Sequence, residues 1–329
     1  MTPKVSVVIY NYNYARYLRG AIDCALDQTF KDLDVVVLDN GSTDTSPDIL
    51  REAAKDPRVK VLLKPDNSLM ASRFYEAIPL CQGDFVAILY ADDYFLPERI
   101  ERQVACFEGL GPDYGVVYSP YWRENVATGE RWLMPVLGLS GSIFKDFLLH
   151  FHTRGYINPV SALIRRACLE RHPFLADAYW EGEGYFLRLA MHCKFQYLGE
   201  PLAVMRDHAT NLGKAIRHNA PDVVRYLKRL EADPSFPEDA RQALRIMRGR
   251  KFRDYGWQGI RMLADGAWAR DYLMLAIRSD PRQLLHPRTL AGLLLSGLPS
   301  PWLDRLNSLA NRIVHHREVI AVAETKPAR

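Results

Sequence analysis

The chain has 329 residues, 48% of them hydrophobic and 25% charged, which excludes a disordered or fibrous chain and leaves room for one large domain or two smaller ones. The formal net charge of +4 is too small to argue for a nucleic-acid partner and suits anionic small substrates or a membrane surface. Five widely spaced cysteines without a CxxC pair exclude a disulfide framework and a structural zinc site, so reduced thiols are expected.

The N-terminal MTPKVSVVIYNYN lacks a basic segment followed by a long apolar run and cleavage site. No stretch of about 18 apolar residues occurs anywhere, so a cytoplasmic protein without a membrane-spanning helix is expected. Val5 to Tyr10 reads as a buried strand and Tyr14 to Leu26 as a helix, with Leu18, Ile22, Ala25 and Leu26 at helical spacing. Leu33 to Leu38 is a second strand. Ser46 and Pro47 read as an N-cap and first helical position. Val59 to Leu63 is a third strand, Ser68 to Cys81 a helix and Asp84 to Leu89 a fourth strand; Pro97 opens a helix to about Phe107. This alternation implies βαβ units, a mostly parallel sheet and helices on both faces. Val116 to Ser119, Val160 to Ile164 and Phe195 to Leu198 read as further strands, and Glu183 to His192 as a helix. Beyond Gly213 only helices are expected: Pro221 to Leu230, Pro237 to Leu263 and Ala267 to Arg278. The domains expected are therefore 1–212, in halves 1–112 and 113–212, and a helical extension 213–329.

In a parallel sheet, ligands bind beyond the carboxyl ends of the strands. The second strand runs into Asp39-Asn40-Gly41-Ser42-Thr43-Asp44, which offers acceptors for a base N–H or forms a plain turn with an N-cap. The fourth runs into Asp92-Asp93. Two adjacent carboxylates there are costly unless a hard cation, shared with substrate phosphates, compensates them; a solvated acidic loop is the simpler reading. Lys64, Arg73, Arg206 and His208 supply positive charge to phosphates or sit as ordinary surface charges.

Four segments in collinear order, VSVVIYNYNYARYLRGAIDCALDQTF, VVVLDNGSTDTS, ILYADDYFLPERI and YFLRLAMHCKFQYLGEPLAVMRDHATN, resemble the family 2 inverting glycosyltransferases over residues 4 to 211. The resemblance implies a GT-A fold, that is, a Rossmann-like α/β domain. It implies a metal-dependent transfer from a nucleoside diphosphate sugar, UDP-sugar by default, to a hydroxyl of a saccharide or lipid-linked saccharide, as in bacterial surface polysaccharide synthesis. Tyr10 and Asn11 would then touch the nucleoside and Asp39 the base. Arg73, with Lys64 and Arg206, would lie near the donor phosphates, and Asp92 would hold the ribose or sugar. Asp93 and His208 would bind Mn²⁺ or Mg²⁺.

The pattern departs from the family at three places. Asn40 replaces a second aspartate, Tyr90 replaces an acidic residue, and Trp180-Glu181-Gly182-Glu183-Gly184 has glycine where the catalytic aspartate is usual. Glu181 or Glu183 could supply the base, with Glu181 favoured. Trp180, Tyr156, Tyr121, Trp122 and Trp132 are candidates for an acceptor platform or for core packing. A non-catalytic nucleotide-sugar-binding module is the rival reading. A sugar-phosphate nucleotidyltransferase would want a glycine-rich loop after the first strand, which YNYNYARYL is not. In the extension, RIMRGRKFR (245–253) and LAGLLLSGL (290–298) fit either peripheral contact with an anionic membrane or a solvated face beside a packed helix. Oligomeric state is not legible.

Overall fold

A computed structural model describes residues 4–178, 183–208 and 216–310. The chain forms two compact units, Met1–Ala240 and Arg241–Arg329.

The first unit is built on a seven-stranded sheet. Its strands are β1 (Val5–Asn11), β2 (Leu33–Asp39), β3 (Val59–Leu63), β4 (Phe85–Tyr90), β6 (Tyr114–Tyr118), β9 (Ala162–Arg165) and β10 (Lys194–Tyr197), in the order β10-β6-β9-β4-β1-β2-β3. Only β9 runs against its neighbours. Every residue of β2 is buried, as are six of the seven in β1, because these two strands are covered on both faces. Helix α1 (Ala15–Leu26) buries Leu18, Ala21, Ile22 and Ala25 on one stripe. Leu18 and Ile22 each contribute roughly 1.5–3 kcal/mol on leaving water, and the two alanines about a third of that. The unit's other helices are α2 (Ser46–Ala53), α3 (Met70–Ala77), α4 (Arg99–Glu108), α5 (Phe144–His150), α6 (Arg166–Arg171), α7 (Glu183–Leu189) and α8 (Ile216–Glu231). The core joins β1, β2 and β4 to α1 and α4 through Val7, Ile9, Val35, Leu89, Ile100 and Val104.

Four short strands form a second sheet that the sequence pattern does not announce: β5 (Tyr94–Phe95), β7 (Tyr121–Asn125), β8 (Arg131–Met134) and β11 (Ala203–Asp207), in the order β5-β11-β7-β8. The two-residue β5 and the charged β7 and β8 carry too little apolar alternation to be read as strands. Two boundaries also differ. Ser46 is the first residue of α2 rather than its cap, and Pro221 lies inside α8 rather than opening it. Helix α8, read from sequence as part of the extension, falls in the first unit.

In the second unit, α9 (Arg241–Arg261) packs along α10 (Gly266–Ser279), followed by α11 (Pro287–Leu295). At Gly256 a Cβ would lie 2.5 Å from Leu273 Cγ, so this close approach of α9 and α10 requires glycine.

Candidate functional site

Strand β1 is central and lies between β2 and β4, in register Tyr10–Leu38, Asn11–Asp39 and Tyr10–Tyr90. The carboxyl ends of β2 and β4 therefore sit about 10 Å apart across β1. The loops carrying Asp39 and Asp92-Asp93 share one rim.

At the β2 end, Asp39 is 2% exposed. Its Oδ1 accepts from Asn11 Nδ2 (2.6 Å) and Ser42 Oγ (2.6 Å), and its Oδ2 from the Ser42 N–H (3.0 Å). Ser42 Oγ accepts in turn from the Asn13 N–H (2.8 Å), and Asn13 Oδ1 from the Thr43 N–H (2.8 Å). These bonds lock the loops after β1 and β2 together. Asn13 stands at φ 56°, a left-handed conformation that asparagine tolerates. Asp44 completes the lock by accepting from the Ala15 N–H (2.9 Å) at the start of α1 and the Ser46 N–H (2.9 Å) at the start of α2. It caps two helices with one carboxylate. Because Asn11 Nδ2 is held by Asp39, its Oδ1 is oriented too, and that oxygen is buried with no hydrogen-bond partner. A buried acceptor left unmatched costs about 1–3 kcal/mol, so it is suited to a ligand N–H.

Beside it, Asn40 is fully buried and ties three segments. Its Nδ2 lies 2.6 Å from Tyr10 Oη and 2.6 Å from Asn67 Oδ1, and its Oδ1 accepts from Arg73 Nε (2.7 Å) and the Ser68 N–H (3.1 Å). Arg73 also binds the Asp66 carbonyl (2.9 Å), the Asp66 carboxylate (3.0 Å) and Glu76 (3.0 Å), while Lys64 pairs with Glu76. Both cations thus have protein partners, and Arg73 braces the rim from beneath. Burial pushes the Tyr10 hydroxyl up to about 12, and this oxygen accepts from the Asn40 amide.

At the β4 end, β11 brings Arg206 and His208 to the two aspartates. The Arg206 N–H donates to Asp93 Oδ1 (2.9 Å), its Nη1 to the Asp92 carbonyl (2.9 Å), and His208 Nε2 lies 3.0 Å from Asp92 Oδ2. The Arg206 guanidinium stands 4.5 Å from the Tyr94 ring and 5.2 Å from the Tyr17 ring, with Glu124 beyond at 3.9 Å. The His208 ring stacks on Tyr17 at 5.8 Å. Burial first, and the neighbouring Asp92 charge second, hold the Asp93 carboxyl well above the usual carboxylate range. A cation would relieve both costs. Among the described residues no three His, Cys, Asp or Glu side chains are arranged to hold a metal by themselves. Asp93 and His208 at the rim instead suit an ion that draws most of its shell from substrate oxygens.

Trp180 and Glu181 lie outside the described residues, and of Glu183 only the backbone is described, opening α7. Tyr156 is half-buried and stacks on Phe151 at 5.9 Å. Tyr121 is core, 1% exposed, whereas Trp132 is exposed on β8. A separate cleft of about 500 Å³ opens at the amino ends of β1 and β4, beside Lys4, Asp84, Glu108, Arg165, Arg166 and Glu170. Lys4–Glu108 and Arg166–Glu170 pairs line it. Sequence reasoning missed Asn13, Tyr17, Tyr94 and Glu124. The NYNY run after β1 hints at the first; the others depend on the second sheet and on α1's register.

Residues 6–172 match the sequence profile of Glycosyl transferase family 2. The chain is 41% identical to an uncharacterized glycosyltransferase of Nostoc sp. over 32% of its length and 33% of the relative's. It is 32% identical to the putative glycosyltransferase EpsH of Bacillus subtilis over 52% of this chain and 49% of that one. The matches thus span half or less of these two relatives. The succinoglycan biosynthesis protein ExoO of Rhizobium meliloti is 28% identical over 95% of this chain and 89% of its own. Among solved structures, S. aureus TarS 1–349 in complex with UDP-GlcNAc superposes with TM-score 0.65 at 16% identity over 89% of each chain. The mannosyltransferase PcManGT of Pyrobaculum calidifontis, in complex with GDP-Man and Mn²⁺, gives 0.56 at 17% over 94% of this chain and 88% of its own. At these identities the likeness establishes the fold.

Proposed function

Because the chain belongs to glycosyl transferase family 2, and is therefore a glycosyltransferase, we propose that it moves a sugar from a nucleoside diphosphate sugar to a hydroxyl of a saccharide or lipid-linked saccharide, with inversion at the anomeric carbon. The observation that carries this reading is the common rim. The buried, unmatched Asn11 Oδ1 and the Asp39 loop lie across β1 from the Asp92-Asp93 pair. One end suits a base and the other a diphosphate. The UDP-GlcNAc and GDP-Man of the two structural neighbours support this donor class, and UDP-sugar is the default. That ExoO is a succinoglycan biosynthesis protein supports an acceptor in polysaccharide synthesis.

In this mechanism Asn11 Oδ1 accepts a base N–H, with Asp39 holding its amide in place. Asp93 and His208 would hold Mn²⁺ or Mg²⁺, which when bound would neutralise charge on the leaving diphosphate, with Asp92 at the ribose or sugar. Arg206 fixes the Asp92-Asp93 turn through two bonds. Glu181 or Glu183 takes the acceptor proton as the hydroxyl attacks, and the single displacement inverts the configuration. The transfer chemistry belongs to residues 1–212, within the first unit.

Incubation with UDP-sugars, acceptor and Mn²⁺, followed by NMR of the product, tests the reading. An inverted anomer is expected, with the rate falling on addition of a chelator. Glu181→Gln should cost on the order of 10²–10⁴ in kcat, with Glu183→Gln affecting it less. A retained anomer, or donor hydrolysis unaffected by either substitution, would contradict it.

A further inference from the structure

The second unit presents an apolar surface that water alone does not favour. Leu285 is 79% exposed. On α11, Leu290 and Leu294 sit one turn apart and are 46% and 80% exposed, while Thr289 and Gly292 face inward. In the helical residues 300–310, Leu303 is 1% exposed and packs against Ile260, Ala264 and Ala269. Trp302, Leu306 and Leu309, spaced four and then three apart, point the other way at 57%, 42% and 56%. A surface helix of a globular protein carries polar residues on its outer face. Here the outer faces carry leucine and tryptophan beside Arg288, Asp304 and Arg305, on two consecutive helical stretches.

Charge says what covers them. Residues 241–310 hold twelve lysines and arginines against five aspartates and no glutamate, a surplus larger than the +4 of the whole chain. Arg278, Arg288 and Arg305 are exposed, and the Arg305 guanidinium lies 5.7 Å from the Trp302 ring. Exposed leucine, tryptophan and arginine within one unit make an interfacial composition: apolar bodies, an amphipathic ring and cationic heads that reach back to phosphate. Among the described residues no helix is long and apolar enough to cross a membrane, so contact through this surface is interfacial. A second copy of the chain would bring a like-charged surface against it, which opposes association.

We propose that this face of the second unit docks on an anionic lipid bilayer, with Leu285, Leu294 and Trp302 seated at the headgroup–acyl boundary and the arginines on lipid phosphates. The inference stands independently of the transfer reaction.

The test is co-sedimentation of the full chain with phosphatidylcholine vesicles, with and without phosphatidylglycerol. Binding is expected to the anionic vesicles, weakening as salt rises, and at least about tenfold weaker for a Leu285→Ser/Leu294→Ser variant. Both positions are about four-fifths exposed, and circular dichroism checks that the variant folds. Quenching by brominated lipid offers a second readout on otherwise intact protein, and Trp302→Phe should reduce it. The proposal is overturned if the intact chain stays with the supernatant, or if the double substitution leaves vesicle binding unchanged. It is equally overturned if that substitution instead dissolves a dimer in sedimentation velocity, which would make the face an interface between copies.

Discussion

Gly41 stands at φ +78°, and a Cβ there would lie 2.5 Å from the Asp66 carbonyl carbon. Both the turn and the close approach of the Asp66 loop forbid a side chain, and Asp66 is also a partner of Arg73. Gly41→Ala should destabilise the protein by about 1–3 kcal/mol. It should also raise the Kd for UDP by loosening the Asp39 loop; urea unfolding and titration calorimetry measure the two effects. Asp93 presents the opposite trade. Its carboxylate is buried beside Asp92 and held well above the ordinary range, so ionising it costs stability. Asp93→Asn keeps an acceptor for the Arg206 N–H and removes the charge. Without metal it should raise stability by ~1 kcal/mol while abolishing turnover. A variant less stable than wild type in metal-free buffer would show that the carboxylate is not under strain.

The ends of α6 and α7 meet through His172 and His192, whose rings stack at 3.9 Å and 6°. Burial first, and the neighbouring His192 charge second, bring the His172 imidazole down to about 4, and His192 is lowered as well. The unfolded chain takes up a proton near pH 6.5 that the folded His172 refuses until near pH 4. Stability conferred by the neutral stack is therefore complete above pH 6.5 and is lost as pH falls through that window. The loss is on the order of 1–2 kcal/mol, allowing for solvent screening. Thermal melts at pH 7 and pH 4.5 should separate by several degrees, and His172→Gln should narrow the gap. An equal gap in the variant would place the acid sensitivity elsewhere. This junction bears on function because α7 follows directly on the segment holding Glu181.

Across the molecule, the proposed donor site lies wholly in the first unit, since Asn11, Asp39, Asp92, Asp93, Arg206 and His208 all precede Ala240. A ligand that binds only the folded form stabilises it by about 2.7 kcal/mol at a hundredfold excess over Kd. The correct nucleoside diphosphate with Mn²⁺ should therefore raise the calorimetric transition of residues 1–240. GDP or UDP alone should do so less. No shift with any nucleotide, with or without metal, would remove the donor-site reading.

How much of this was legible beforehand depends on range. The strands of the parallel sheet, the helices between them and the two acidic loops were readable because each is encoded locally, by a buried apolar run ending in turn residues. Asp39 and Asp92-Asp93 were found that way, and strand order then set them on one rim. Arg73 and Lys64 were legible only as cations; that Arg73 binds Asn40 and Asp66 depends on a loop folding back across the sheet. The second sheet, and with it the clamp of Arg206 on Asp92 and Asp93, was hidden because β5, β7 and β11 are short and partly charged. Local pattern determined which residues stand at strand ends. Only the tertiary structure decided which of them share a rim and which are consumed by one another, because a charge shows its partner only once distant segments meet.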